Sequence, residues 1–365
     1  MQINSSCMYR TLEEINLSAY AKNMANIRAK IPEHTRIMAI VKADAYGHGA
    51  IRIAKAAIEN GASYLGVAWL AEAVQLRQAG INAPILILSE TPYEVDIHLV
   101  DYDITQTIYS YKTARCLNDI AANQSKKVKI HVKIDTGMGR VGCLAEDSIP
   151  LIEFLLNLPH IEIEGIYTHF AKADDALSDY TLMQYKKFQH ILSELNRRNI
   201  HIPIKHAANS DATHHFPETH LDMVRIGLSL YENILTLKSR VSYVKQVPKH
   251  SSISYQGSYT TDRATMIATV QLGYADGYPR ELSNIGRTLI KGKSYPIRGK
   301  VTMDMLMVDL GDNNDNITAG DEVVLIGNQG HEKIEISEIC EKAQKIPYEI
   351  MCGINKRVER IYIHS

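Results

Sequence analysis

The stretch Arg36-Ile37-Met38-Ala39-Ile40-Val41-Lys42-Ala43-Asp44-Ala45-Tyr46-Gly47-His48-Gly49 decides how the chain is read. An apolar run with several β-branched side chains leads directly into a lysine, and a Gly-His-Gly turn follows. The run has the length of one strand and reads as buried. The glycines punctuate it, and a helical pattern begins beyond them. Lys42 therefore stands where a buried strand gives way to a loop. Taken alone, such a lysine is most simply a surface side chain whose stem packs on the apolar run. The alternative is an amine placed in a pocket, and the rest of the chain decides between the two.

Working outward, Thr11–Ala29 reads as an entry strand turning into a helix. Strand-like runs then recur at Arg36–Lys42, Tyr64–Ala68, Pro84–Leu88, Asp103–Ile108, Val128–Asp135, Ile161–His169, Ile204–Ala208 and Asp222–Leu228. Helical patterns lie between them, at Gly49–Gly61, Ala71–Gly80, Tyr111–Gln124, Asp147–Asn157, Tyr180–Arg198 and a short Ser210–His215. Eight strand-helix units predict an α/β fold with an N-terminal TIM (β/α)8 barrel. No Gly-x-Gly-x-x-Gly opens a helix after the first strand, which argues against a dinucleotide fold. Near Val241 the texture changes to short strands divided by Gly, Pro, Asn and Asp, with a helical period only over Ser337–Gln344. This predicts a C-terminal mostly-β domain. The expected organisation is an N-terminal segment over 1–12 packing with the β domain, a barrel over 13–240 and the β domain over 241–365.

Composition narrows the partners. Lys plus Arg number 40 and Asp plus Glu 41, a net charge of -1, so no strong field favours nucleic acid or an anionic membrane. No run is apolar enough to span a bilayer, and the first residues lack the basic start and apolar centre of a signal peptide. The cysteines at 7, 116, 143, 340 and 352 are scattered, with no zinc-ligand spacing. They predict a reduced, cytoplasmic setting and no metal site.

Reactive side chains of a TIM barrel come from the carboxyl ends of its strands. Lys42 and Tyr46 follow strand 1, Lys133 and Arg140 belong to strand 5 and its loop, His169 ends strand 6, Asn209-Ser210 end strand 7 and Arg225-Ile226-Gly227 belong to strand 8. Loops after strands 7 and 8 are the usual phosphate cradle of this fold. Ser210 can donate from its hydroxyl, and Gly227 permits close backbone approach. Ser210 could equally be an N-cap, His169 a core histidine and Arg225 half of an ion pair. Their shared rim favours a phosphate site facing a lysine, which suggests pyridoxal 5'-phosphate (PLP) held as a Schiff base.

Val41–Gly49 resembles, position by position, the cofactor-lysine signature of the alanine racemase family, the fold-type III PLP-dependent amino-acid racemases. Further matches are Lys133–Arg140, Glu164–Phe170, His206–Ser210, Arg225–Gly227, Ser254-Tyr255, Gly273–Tyr278 and Met303-Asp304. The likeness covers almost the whole chain. It implies that Lys42 carries the cofactor and acts on the D-enantiomer, while Tyr255 of the partner subunit acts on the L-enantiomer. Racemisation needs a proton removed on one face and delivered on the other, which two bases do better than one fixed group. The resemblance further implies that His169 and Arg225 create the environment of Tyr255 and that Arg225 faces the pyridine nitrogen. Tyr46, Asn209, Ser210 and Gly227 would hold the phosphate; Arg140 and the Met303 backbone N–H would hold the substrate carboxylate. Tyr274 would border the entry, with Asp304 in support. Lys133 matches a lysine that is often carbamylated.

The implied protein is a cytoplasmic homodimer with shared active sites that interconverts L- and D-alanine and supplies D-alanine for peptidoglycan. The chain departs from the family at Lys356, where a tyrosine is common, at Thr302, where many members have cysteine, and at Gln256, where glycine is common. These departures leave serine or broader specificity as the alternative. A decarboxylase of the same fold type is disfavoured by Arg225, and a non-catalytic PLP-binding protein by the β domain with Tyr255.

Overall fold

The structure, a computed structural model, describes residues 10–90 and 97–364. It divides into two compact units. One is formed by residues 21–45 and 49–230, the other by residues 10–20, 46–48 and 231–364.

The first unit is a closed parallel barrel. After β1 (Leu12–Asn16), which belongs to the second unit, the barrel strands are β2 (Arg36–Ile40), β3 (Tyr64–Val67), β4 (Ile85–Ile87), β5 (Thr105–Ile108), β6 (Val128–Asp135), β7 (Ile161–Tyr167), β8 (Ile204–His206) and β9 (Met223–Ile226). Each pairs in parallel with the next, and β9 returns to β2 through Met223↔Arg36 and Ile226↔Ala39. Strands buried on both faces read as unbroken apolar runs, and β3 and β4 are buried throughout. All eight expected strands are present; Val128–Asp135 keeps its expected bounds and the other seven are shorter at one or both ends. Helices follow most of them: Ala50–Glu59, Leu70–Gln78, Tyr111–Asn123, Ser148–Leu156, Tyr180–Arg197 and Ser210–His215. The expected strand-helix alternation weakens at two places. Among the described residues only His98–Asp101 is helical between β4 and β5, and β9 leads into a 3-10 turn at Leu228–Leu230.

The second unit is mostly β. Leu235–Val247 is its central strand, pairing antiparallel with β1, with Thr265–Val270 and with Glu322–Gln329. β1 also lies parallel to Glu359–Ile363, so Leu12 is opposite both Lys238 and Glu359. Thr11 Oγ1 donates to the Gln271 carbonyl at 2.9 Å. Residues 1–9 of the expected N-terminal segment lie outside the described residues. A second helix, Pro347–Gly353, follows Ile336–Ala343. Its seven residues are too few to show a helical period, and Pro347 at its first position is a start signal rather than a breaker. No helix among the described residues is long and apolar enough to cross a membrane.

Candidate active site

The expected Gly-His-Gly turn is present at 47–49, but the four residues before it take a shape that their sequence does not suggest. Ala43, Asp44, Ala45 and Tyr46 all have φ near 53–54°, a run of left-handed residues without one glycine. Such residues cost roughly 1–2 kcal/mol each, so the segment is held by its surroundings. Glu72 Oε1 accepts from the Ala43 N–H at 2.7 Å. Asp44 Oδ1 accepts from the Ala50 N–H at 2.8 Å, capping the following helix. Lys42 opens this strained turn, and strain of this kind concentrates at functional sites.

Around that mouth the barrel gathers cations. Lys133 on β6 is 5% exposed, and its amine lies 5.4 Å from the centre of the Tyr167 ring, with the Leu88 carbonyl at 3.4 Å. Burial, then repulsion from Arg225, Arg140 and Lys42, pushes its pKa from 10.5 down to about 7, against a weaker pull from Asp135. Arg225 on β9 is buried, with its guanidinium 5.2 Å from the same ring. Burial lowers its pKa to about 10, which leaves it charged at neutral pH. It donates through Nη2 to the Thr168 and Ala207 carbonyls, both at 2.8 Å, and to His169 Nδ1 at 3.2 Å; Nη1 donates to His206 Nδ1 at 3.0 Å. Its Nε–H donates to no described residue. Burial and then the Arg225 charge hold His169 well below the usual histidine pKa, so its ring is neutral and accepts at Nδ1.

The loops after β8 and β9 meet, with one change of role. Asn209, not Ser210, caps Ser210–His215, its side chain accepting from the Ala212 N–H at 2.9 Å. Ser210 Oγ instead accepts from the Gly227 N–H at 2.9 Å. Lys42, Lys133, Arg140 and Arg225 place positive charge around this mouth, opposed there by Asp135. That surplus, the unused Arg225 donor and the Ser210–Gly227 loops suit a phosphate ester with an aromatic nitrogen, so the residues fit PLP.

The second unit carries the remaining candidates. The Tyr46 ring packs edge-on against Tyr231 at 4.8 Å and Tyr348 at 5.1 Å. Tyr255, Tyr274, Met303 and Asp304 border a cavity of about 1040 Å³ that Arg280, Glu281 and Lys345 also line. Tyr255 is 71% exposed, and its hydroxyl bonds to no described residue. It stands between Ser254 at φ 64°, ψ -169° and Gln256 at φ 62°, a second strained turn. Ser254 Oγ donates to the Lys300 carbonyl at 2.8 Å. A Cβ on Gly299 would come within 2.7 Å of Ser254 Cβ and 2.8 Å of the Ile253 carbonyl, so only glycine lets the two loops meet there.

Sequence reasoning missed the brace beside this cavity. Asp276 is 1% exposed and accepts from Arg357 Nε at 2.7 Å, Arg10 Nη2 at 3.0 Å and the Gly273 N–H at 2.9 Å. Arg357 Nη2 also reaches Asp304 at 2.7 Å. The hydrogen bond from Arg357, with a weaker one from Arg10 at 3.5 Å, holds Asp304 below the usual carboxylate range. Lys356 is exposed beside Arg357, and Thr302 closes a turn by donating to the Met305 carbonyl at 2.8 Å.

Comparison with known proteins defines the class of this chain as an amino-acid racemase. Residues 15–233 match the alanine racemase N-terminal domain and residues 234–362 the C-terminal domain. The chain is 44% identical to the alanine racemase of Halothermothrix orenii over 96% of each chain. It superposes on the alanine racemase of Streptomyces lavendulae with a TM-score of 0.93, at 33% identity over 98% of each. For the Bartonella henselae alanine racemase with covalently bound pyridoxal phosphate, the TM-score is 0.88 at 28% identity, over 97% of this chain and 99% of that one. The chain belongs to the alanine racemase family, whose members are PLP-dependent.

Proposed function

We propose that this protein interconverts L- and D-alanine with PLP, as a cytoplasmic homodimer whose two bases come from different subunits, and that it supplies D-alanine for peptidoglycan. Bound PLP supplies the electron sink that makes the substrate α-proton acidic. Lys42 Nζ moves that proton on one face, for the D-enantiomer; Tyr255 Oη of the partner subunit moves it on the other, for the L-enantiomer. Tyr46, Asn209, Ser210 and Gly227 hold the phosphate. Arg225 Nε–H donates to the pyridine nitrogen without giving up its proton, and the neutral His169 ring fixes the guanidinium plane. Arg140 and the Met303 N–H hold the carboxylate, and Tyr274 and Asp304 border the entry.

Lys133 is proposed to carry a carbamate. An amine with a pKa near 7 is substantially uncharged at neutral pH, as attack on carbon dioxide requires. The resulting anion would relieve the repulsion among Lys42, Arg140 and Arg225.

The observation that carries the reading is the presence in one chain of two strained turns, one opened by Lys42 and one displaying an exposed Tyr255. Chiral chromatography of L-alanine and L-serine incubated with the PLP-loaded protein tests it. D-alanine should accumulate to equimolar with L-alanine, and faster than D-serine forms. Failure to racemise either amino acid would refute the assignment, and faster serine turnover would shift the substrate to serine.

A further inference from the structure

The donors inside the barrel form a one-way line that ends at the carboxylate of Glu164. We propose that Glu164 is a positioning residue for Arg225, acting through His131 and His206 by fixing which nitrogen of each ring carries the proton. The proposal rests on the reading above, in which Arg225 meets the cofactor.

The direction of every link is forced. A guanidinium only donates, so His206 Nδ1, 3.0 Å from Arg225 Nη1, is an acceptor. A neutral ring that accepts at Nδ1 carries its proton on Nε2. His206 Nε2–H therefore donates to His131 Nδ1 at 2.8 Å. By the same rule His131 carries its proton on Nε2 and donates to Glu164 Oε2 at 3.3 Å. Both rings are fully buried. Burial holds both below the usual histidine pKa, outweighing the upward pull of Glu164 on His131, with the Arg225 charge adding to the lowering in both; with the donor geometry above, each ring has one proton to place. Inverting the tautomer of His206 would set its Nδ1–H against an N–H of Arg225, and inverting that of His131 would set its Nδ1–H against the Nε2–H of His206.

Two features of the backbone exist to seat this line. In the β6–β7 register Ile130 pairs with Ile163 and His131 with Gly165, which leaves Glu164 as the extra residue of a β-bulge. Bulges re-aim a side chain, and here the side chain re-aimed is the terminal acceptor. At Gly165 an added Cβ would lie 2.5–2.7 Å from three atoms of the His131 ring. Glycine is thus required for the imidazole to sit against β7 at this point. The Tyr167 ring stacks on His206 at 4.6 Å and 10° between planes, fixing the second imidazole.

Glu164 is kept ionised for its role. Burial pushes its pKa up, but hydrogen bonds from His131 and the Tyr64 hydroxyl outweigh that and hold it at about 2. Lys129 Nζ stands 3.6 Å from its other oxygen. A carboxylate that accepts but never donates leaves His131 no alternative tautomer.

Glu164→Gln and Glu164→Leu separate this role from simple packing. The amide oxygen of glutamine can still accept from His131; leucine cannot. Because a small misplacement of a catalytic group is costly, kcat should fall about 10- to 100-fold for Glu164→Leu and only about threefold or less for Glu164→Gln, with KM little changed in either. Equal losses in the two variants would overturn the tautomer role. Neutron diffraction from wild-type PLP-loaded crystals reads the protons directly and does not depend on any variant folding. Deuterium on Nε2 alone of both His131 and His206 is expected. Deuterium on His206 Nδ1, or a doubly protonated ring, would overturn the proposal. Absence of racemisation by the wild type would instead remove the functional reading, whatever the proton positions.

Discussion

Lys133→Met gives a prediction whose size follows from the burial of one amine. The site forces Lys133 from an ordinary pKa of 10.5 to about 7 by burial and by the charges of Arg225, Arg140 and Lys42. In the unfolded chain those causes vanish. Below pH 7 the lysine is protonated in both states, and the fold bears the full cost of a buried, repelled cation, on the order of 5 kcal/mol. Between pH 7 and 10.5 the unfolded chain holds more protons, so this group's contribution to stability rises with pH. Methionine has similar length and no charge. Lys133→Met should therefore be more stable than wild type at pH 7, and the gap should shrink by about 2–3 kcal/mol on going to pH 9. Urea unfolding of both proteins, without cofactor and in bicarbonate-free buffer, measures the gap at each pH. A gap that does not change with pH would refute the electrostatic reading of Lys133. A wild type more stable than the variant at pH 7 would refute it as well.

The Asp276 brace supplies the remaining predictions. Arg357→Ala removes a charge-assisted hydrogen bond from a buried carboxylate that keeps Arg10 and the Gly273 N–H. Stability should fall by about 1–3 kcal/mol, seen as a lower urea midpoint, and KM for alanine should rise more than kcat falls. Asp304→Asn should have a smaller effect on the midpoint, because Asp304 is half-exposed and exposed pairs are weak.

Much of the barrel was legible in the chain because strands buried on both faces read as continuous apolar runs, such as Tyr64–Val67 and Ile85–Ile87. Lys42, Ser210 and Gly227 stand just beyond such runs and Arg225 lies within the last of them, which is why the sequence singles them out. The shape of the Lys42 turn was not legible. Four left-handed residues predict glycine or asparagine, and the chain has Ala43, Asp44, Ala45 and Tyr46; hydrogen bonds accepted by Glu72 from Ala43 and by Asp44 from Ala50 override the local preference. His131 looked like a strand-interior residue because its role depends on a bulge one strand away at Glu164. Arg357 and Arg10 could not be joined from sequence, since they meet only where Asp276 brings them together. The exchange of roles between Asn209 and Ser210 turns on a one-residue choice of helix start, which pattern alone does not settle.

The central claim is that Lys42 and Tyr255 act together from different subunits. Lys42→Ala and Tyr255→Phe proteins, each inactive alone, are unfolded together, refolded as a mixture with PLP and assayed for conversion of L- to D-alanine. A heterodimer of the two contains one intact pair of bases, so random reassortment predicts recovery of about one quarter of the wild-type rate. No recovery from a mixture shown to contain heterodimers would contradict the claim, because it would place both bases in the same chain.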